Sequence, residues 1–145
     1  MAIKQSEDGV RAASDRFYSA LTEMANGDSG PMLALWPDRD DVTTMHPIGG
    51  REVGYDAVAA SFEGVAAAAT GGEVRPSDRI VRVFGDLAYE MVTETASMTL
   101  GGQHVEGEYR ATNVYHLEDG EWQIIHHHAD TDEPFIEIVE GLGGE

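Results

Sequence analysis

Between Val74 and Asp130 the chain reads as four extended runs joined by very short turns, which leaves few folds open. The runs are Val74 to Phe84, Leu87 to Leu100, Gln103 to Leu117 and Glu121 to Asp130, separated by Gly85-Asp86, Gly101-Gly102 and Glu118-Asp119-Gly120. Each separator is a hairpin signal, and strands with connections this short have no room for a crossover. The segment therefore predicts an antiparallel meander.

The stretch before Gly72 has a different period. From Glu7 to Asn26 the apolar Val10, Ala13, Phe17, Ala20, Leu21 and Met24 recur every three or four residues, one face of an amphipathic helix with Ser6 as N-cap and Gly27 as its stop. Asp28-Ser29-Gly30-Pro31 predicts a capped second helix ending near Trp36. Gly54 to Ala69 predicts a third, closed by Thr70-Gly71-Gly72. A short strand, Val42 to His46, lies between the last two and is closed by Pro47 and a Gly49-Gly50 turn. Helices followed by a sheet give an α+β layer, a strongly bent meander with three N-terminal helices on one face. A single domain over residues 1–145 is expected, with 1–5 and 140–145 frayed.

Charge narrows the partners. The 145 residues carry 27 Asp and Glu against 9 Lys and Arg, a formal charge of −18. Such a field repels phosphate backbones and anionic lipid, so neither nucleic acid nor a membrane surface is an expected partner. With no cysteine, disulfides, thiolate nucleophiles and Cys-ligated zinc are excluded. The opening MAIKQSEDG lacks a signal-peptide core, and a cytoplasmic protein is expected.

The order of elements, together with Asn26-Gly27-Asp28, Leu35-Trp36, Asp41-Val42 through His46-Pro47, Gly49-Gly50 with Gly54, and the Thr112 to His128 hairpin, resembles the SnoaL-like family of the NTF2-like superfamily. The resemblance covers nearly the whole chain and implies a cone-shaped sheet around one pocket.

Register decides which side chains reach that pocket. A three-residue Glu118-Asp119-Gly120 loop would pair Leu117 with Glu121, placing Ala111, Asn113 and Tyr115 on one face with Ile125, His127 and Ala129. Trp122, Ile124, His126 and His128 would share the other with Arg110 and Val114. The resemblance chooses the inner face. In the related ketosteroid isomerase an oxyanion-binding aspartic acid occupies the position matched by Asn113, and in the calcium/calmodulin-dependent kinase II hub domain pocket arginines match Asn113 and Ala129. The isomerase also carries its general-base aspartate immediately before a proline, where His46-Pro47 stands here, so the resemblance implies His46 as candidate base and Asn113 as candidate oxyanion donor. The isomerase's oxyanion tyrosine aligns with Ala20 and its supporting tyrosine with Phe62, which argues against steroid isomerisation by that route.

Trp36, Met45, Phe62, Met91, Thr93, Tyr115 and His127 complete the expected pocket, apolar with a few polar groups. His126, His128 and Asp130 form a His-x-His pattern that could in principle hold a metal, but sheet-surface imidazoles more often bond to neighbours, and neither metal nor cofactor is expected. A homodimer through the sheet backs is expected, using Arg110, Val114, Trp122, Ile124, His126 and His128. The reading is a small-molecule-binding protein, an isomerase- or cyclase-type enzyme using acid/base chemistry on a mainly apolar metabolite. Its alternative is a noncatalytic ligand-binding or dimerisation module.

Overall fold

A computed structural model describes residues 2–143. Helix α1, Ala2–Ala25, starts earlier than the Ser6 cap predicts. It buries Val10, Ala13, Phe17, Leu21 and Met24 and stops at Gly27, where Asp28 N–H bonds to Glu23 O and Gly27 N–H to Met24 O, a Schellman closure. Helix α2, Gly30–Leu35, has Pro31 in its first turn, and α3 spans Tyr55–Ala68.

Six strands form one sheet: β1 Thr43–His46, β2 Gly49–Val53, β3 Ala69–Phe84, β4 Leu87–Leu100, β5 Gln103–Glu118 and β6 Glu121–Ala129, in the order β2-β1-β6-β5-β4-β3. The expected four-strand meander is present as β3 to β6. To it are added β2, which takes up the residues read as a Gly-Gly turn, and a parallel β1–β6 pairing that places Thr44 beside His127. The sheet curves around α1, with α2 and α3 completing the inner layer.

A fourth helix, α4 Glu133–Gly143, has no counterpart in the expected elements, and its end takes in residues 140–143 of the segment expected to fray. It is anchored where Asp132 N–H bonds to Pro47 O, and again where Leu142 lies against Gly101. Met1, Gly144 and Glu145 lie outside the described residues. Among the described residues no helix is long and apolar enough to cross a membrane.

The β5–β6 hairpin corrects the expected register. Its turn has two residues, not three. Asp119 and Gly120 both have positive φ (52° and 81°), the signature of a type I′ turn, and they pair Glu118 with Glu121 and Leu117 with Trp122. Further along, Val114 faces His126 while Tyr115 faces Ile124, so Ile125 is an extra residue, a β-bulge. Trp122 and Ile124 therefore lie on the buried side, with Trp122 against Gly9 of α1. Beyond the bulge His127 and Ala129 are also buried. The outer-face positions assigned to Trp122 and Ile124 are thus wrong. The Asn113–His127 pair faces inward through a different register from the expected one.

Candidate functional site

The cone encloses a cavity of about 50 Å³. Leu21 and Met24 of α1, Phe62 and Val65 of α3, Ala96 and Met98 of β4 and Phe135 of α4 give it apolar walls, and Pro47 and Ile48 lie at its half-buried edge. Its polar side chains are His46, Glu94, Tyr109 and His127.

For the two histidines, the other hydrogen bonds of the partner fix which ring nitrogen carries the proton. Ser61 Oγ donates to Val58 O at 2.6 Å, so the 2.8 Å contact between His46 Nε2 and Ser61 Oγ makes the imidazole nitrogen the donor and leaves Nδ1 with its lone pair. The His46 ring also meets the Phe62 ring edge-on, with centroids 4.7 Å apart. Asn113 Nδ2 donates to Tyr18 Oη and to Glu90 Oε1, both at 3.0 Å. Asn113 Oδ1 is therefore the acceptor, His127 Nδ1–H donates to it at 2.6 Å, and His127 Nε2 carries the lone pair. Tyr109 donates to Asp132 at 2.8 Å and Tyr18 to Glu94 Oε2 at 2.7 Å.

Behind the wall, Glu90 is fully buried yet well satisfied. Ser14 Oγ donates to it at 2.6 Å, Tyr115 at 2.9 Å and Asn113 at 3.0 Å, with Arg79 Nε 3.9 Å away. A buried carboxylate is tolerable only with such partners. One chain of hydrogen bonds thus runs from Glu90 through Asn113 and Tyr18 to Glu94, with His127 attached at Asn113.

Desolvation dominates the titration of the lining groups. It pushes the Glu94 carboxyl up to about 7, a rise reduced by the Tyr18 hydrogen bond and reinforced by Glu90. The same cause pushes His46 down to about 4 and holds His127 well below the usual imidazole range, with His46, His126 and His128 adding to the latter. Both imidazoles are neutral at pH 7, so the 3.8 Å approach of His127 Nε2 to Glu94 Oε2 is not an ion pair.

The structure divides the expected site. His46, Phe62 and His127 line the cavity. Trp36 is buried in the core behind Phe62, with ring centroids 6.0 Å apart, and Tyr115 is buried against Glu90; neither lines the cavity. Asn113 is also behind the wall, with both amide hydrogens spent, so it has none to offer an oxyanion. Met45, Met91 and Thr93 are corrections. Met45 alternates with the buried Thr44 and His46, and Met91 and Thr93 alternate with the buried Glu90, Val92 and Glu94, so all three belong to the outer face. Glu90 and Glu94 were missed because a glutamate on a strand reads as solvated. A signal was present: positions 88, 92, 96, 98 and 100 are all apolar, whereas 93, 95, 97 and 99 are all Ser or Thr. That parity turns Glu90 and Glu94 inward.

The outer face carries Arg110, paired with Asp130 at 2.8 Å, and His126, whose Nδ1 lies 2.6 Å from Thr43 Oγ1, with His128 exposed beside it. Among the described residues no set of three His, Asp or Glu side chains is placed to hold a metal.

This fold has relatives among known proteins. A candidate dehydratase of the NTF2-like family from Streptomyces avermitilis superposes with a TM-score of 0.76 at 26% identity, covering 90% of this chain and 98% of that one. A candidate calcium/calmodulin-dependent protein kinase type II association domain from Thiobacillus denitrificans gives 0.69 at 28% identity, covering 84% and 94%. The F-box protein SKIP8 of Arabidopsis thaliana is 29% identical over 98 residues, 68% of this chain, and the match spans only 40% of that longer protein's length. The SnoaL-like domain model matches residues 10–130, from the buried face of α1 to the end of β6, and the chain belongs to that family.

Proposed function

We propose that this chain is a small-molecule enzyme of the isomerase or lyase kind that moves a proton within the cavity. Glu94 serves as the acid/base group and His46 as a second proton acceptor. The observation that carries this reading is Glu94 itself, a buried carboxyl in a mainly apolar cavity and poised near 7, where a general acid or base is most effective. His46, neutral with a free Nδ1, supplies a lone pair in the same cavity. Two groups whose environments push their titrations apart are the usual basis of an acid/base division of labour. The likeness to a candidate dehydratase is consistent with elimination from a hydroxylated substrate. In such a step the Glu94 proton leaves with the hydroxyl as water, a base takes the neighbouring C–H proton, and the new C=C bond keeps the electron pair.

The test needs no known substrate. Incubating the protein with small β-hydroxy carbonyl compounds in deuterium oxide, and following carbon-bound hydrogen by NMR, reads proton transfer directly. Exchange or elimination in the wild type is expected, reduced by roughly 10²- to 10⁴-fold in Glu94→Gln, the usual contribution of a general acid or base. His46→Ala should lower turnover far more than it weakens binding. Rates equal to wild type in both variants would refute the assignment. The second reading, a noncatalytic ligand-binding or dimerisation module, draws on the likeness to the candidate association domain, and it gains if no compound exchanges.

A further inference from the structure

The hydrogen atoms of the cavity's polar groups are nearly all committed to the protein. His46 Nε2–H goes to Ser61, His127 Nδ1–H to Asn113, the Tyr109 hydroxyl to Asp132, and the Tyr18 hydroxyl to Glu94 Oε2. Left without a protein partner are His46 Nδ1, His127 Nε2 and Glu94 Oε1. Among the described residues only Thr44 Oγ1 is both sealed from solvent-sized space and unpartnered, so these three atoms are open to the cavity or its mouth. All three are acceptors when Glu94 is ionised.

From this we infer that the cavity recognises its ligand as a hydrogen-bond donor without negative charge: the hydroxyl group of a small, neutral, otherwise apolar molecule. A carboxylate or phosphate brings only further acceptors and meets Glu94, with Glu90 close behind. A carbonyl or ether oxygen finds no donor until Glu94 takes up a proton. Volume agrees with a compact head group. A site needs roughly 10–15 Å³ to hold one water, so about 50 Å³ takes a hydroxyl and a few carbons, and a larger body extends past Pro47 and Ile48. The walls it would touch, Phe62, Met98 and Phe135, are apolar. This inference rests on the cavity being a ligand site, as proposed above, but not on that site being catalytic.

One scaffold with four head groups tests it on the full-length protein. Benzyl alcohol, benzyl methyl ether, benzaldehyde and benzoate are titrated at pH 8.5, where Glu94 is ionised, and at pH 5.5, where it is protonated, with amide chemical shifts as the readout. At pH 8.5 benzyl alcohol is expected to bind at least tenfold more tightly than the other three. Benzaldehyde should gain at pH 5.5. In Glu94→Gln it should gain at both pH values, because the amide Oε1 can still accept from Tyr18 while its NH₂ faces the cavity. Benzoate or the ether matching the alcohol at pH 8.5, or no shift with any compound, would overturn the inference, and neither outcome depends on the variant folding. Alcohol-selective binding without hydrogen exchange would sustain this inference and remove the catalytic reading. Exchange without alcohol selectivity would do the reverse.

Discussion

Glu94 and His46 share one cavity and respond to pH in opposite senses. The folded chain raises Glu94 from 4.5 to about 7, so it holds a proton that the unfolded chain has already released. The stability this contributes is complete below about pH 4.5 and lost as pH rises through 7. His46 is lowered from 6.5 to about 4, so its contribution is complete above 6.5 and lost as pH falls through 4, and His127 moves in the same direction. Between about pH 4.5 and 6.5 the two histidines outweigh the glutamate, and the protein weakens on acidification. In Glu94→Gln the opposing contribution is gone. Its stability relative to wild type should climb as pH rises from 4.5 to 7, by up to about 1.4 kcal/mol per unit. Urea denaturation at pH 5, 6, 7 and 8 measures this, and parallel curves would show that Glu94 is not raised. Of these residues, His46 was legible through its place before Pro47, whereas His127 was placed inward by a register the structure corrects, the shorter turn and the bulge together returning it to that side. Glu94 was not read, although strand parity turned it inward, because a strand glutamate reads as solvated until its buried partner Tyr18, 76 residues away, is known.

At the scale of the element, the β5–β6 hairpin shows what local pattern can and cannot specify. The existence of two strands and a glycine-bearing turn followed from alternation and Asp119-Gly120, as did the number of meander strands. Register did not, because two departures in succession, a shorter turn and a bulge at Ile125, place Trp122 and His127 on the same side although they are separated by an odd number of positions. The parallel β1–β6 contact was equally hidden, since nothing in Thr43 to His46 names a partner more than eighty residues away. Gly120 has φ 81° and open space where a side chain would go, so Gly120→Val should lose stability through backbone strain alone, on the order of 1–3 kcal/mol. A thermal melt unchanged from wild type would mean the turn has another conformation. The bulge gives a second expectation. Deleting Ile125 joins the two alternating halves without turning either over, whereas deleting His128, beyond the bulge, turns Ala129 outward or, if the bulge closes, His127. Circular dichroism melts should show the first variant folded and the second far less stable, and equal melts would argue against the bulge.

For the whole molecule, the expectation of a dimer through the sheet backs now stands on different residues. Trp122 and Ile124 are interior, but Ile80, Phe84, Leu87 and Met91 are 41%, 65%, 43% and 43% exposed on adjoining strands, with Tyr89 and Val114 beside them. We propose that this outer face, with His126, His128 and Arg110 at its flank, pairs with a second copy. Two chains of −18 repel, and salt screens that repulsion, so association should strengthen between 0.05 and about 0.5 M salt. Light scattering that finds a monomer at micromolar concentration in both would exclude the pairing. The helices and the curved sheet were legible from period and family likeness together; α4 was not, because Gly141 and Gly143 mask its apolar spacing.

The match to the SnoaL-like family ends at residue 130, and α4 begins at Glu133. Phe135 therefore closes the cavity from beyond the matched segment, while His46, Glu94 and His127 lie within it. The cavity's polar side chains and its closure sit on separable stretches of chain. Related proteins could keep the first and exchange the second, so that a change of ligand size is written in the residues of α4 without disturbing the curved sheet that carries the cavity's polar groups.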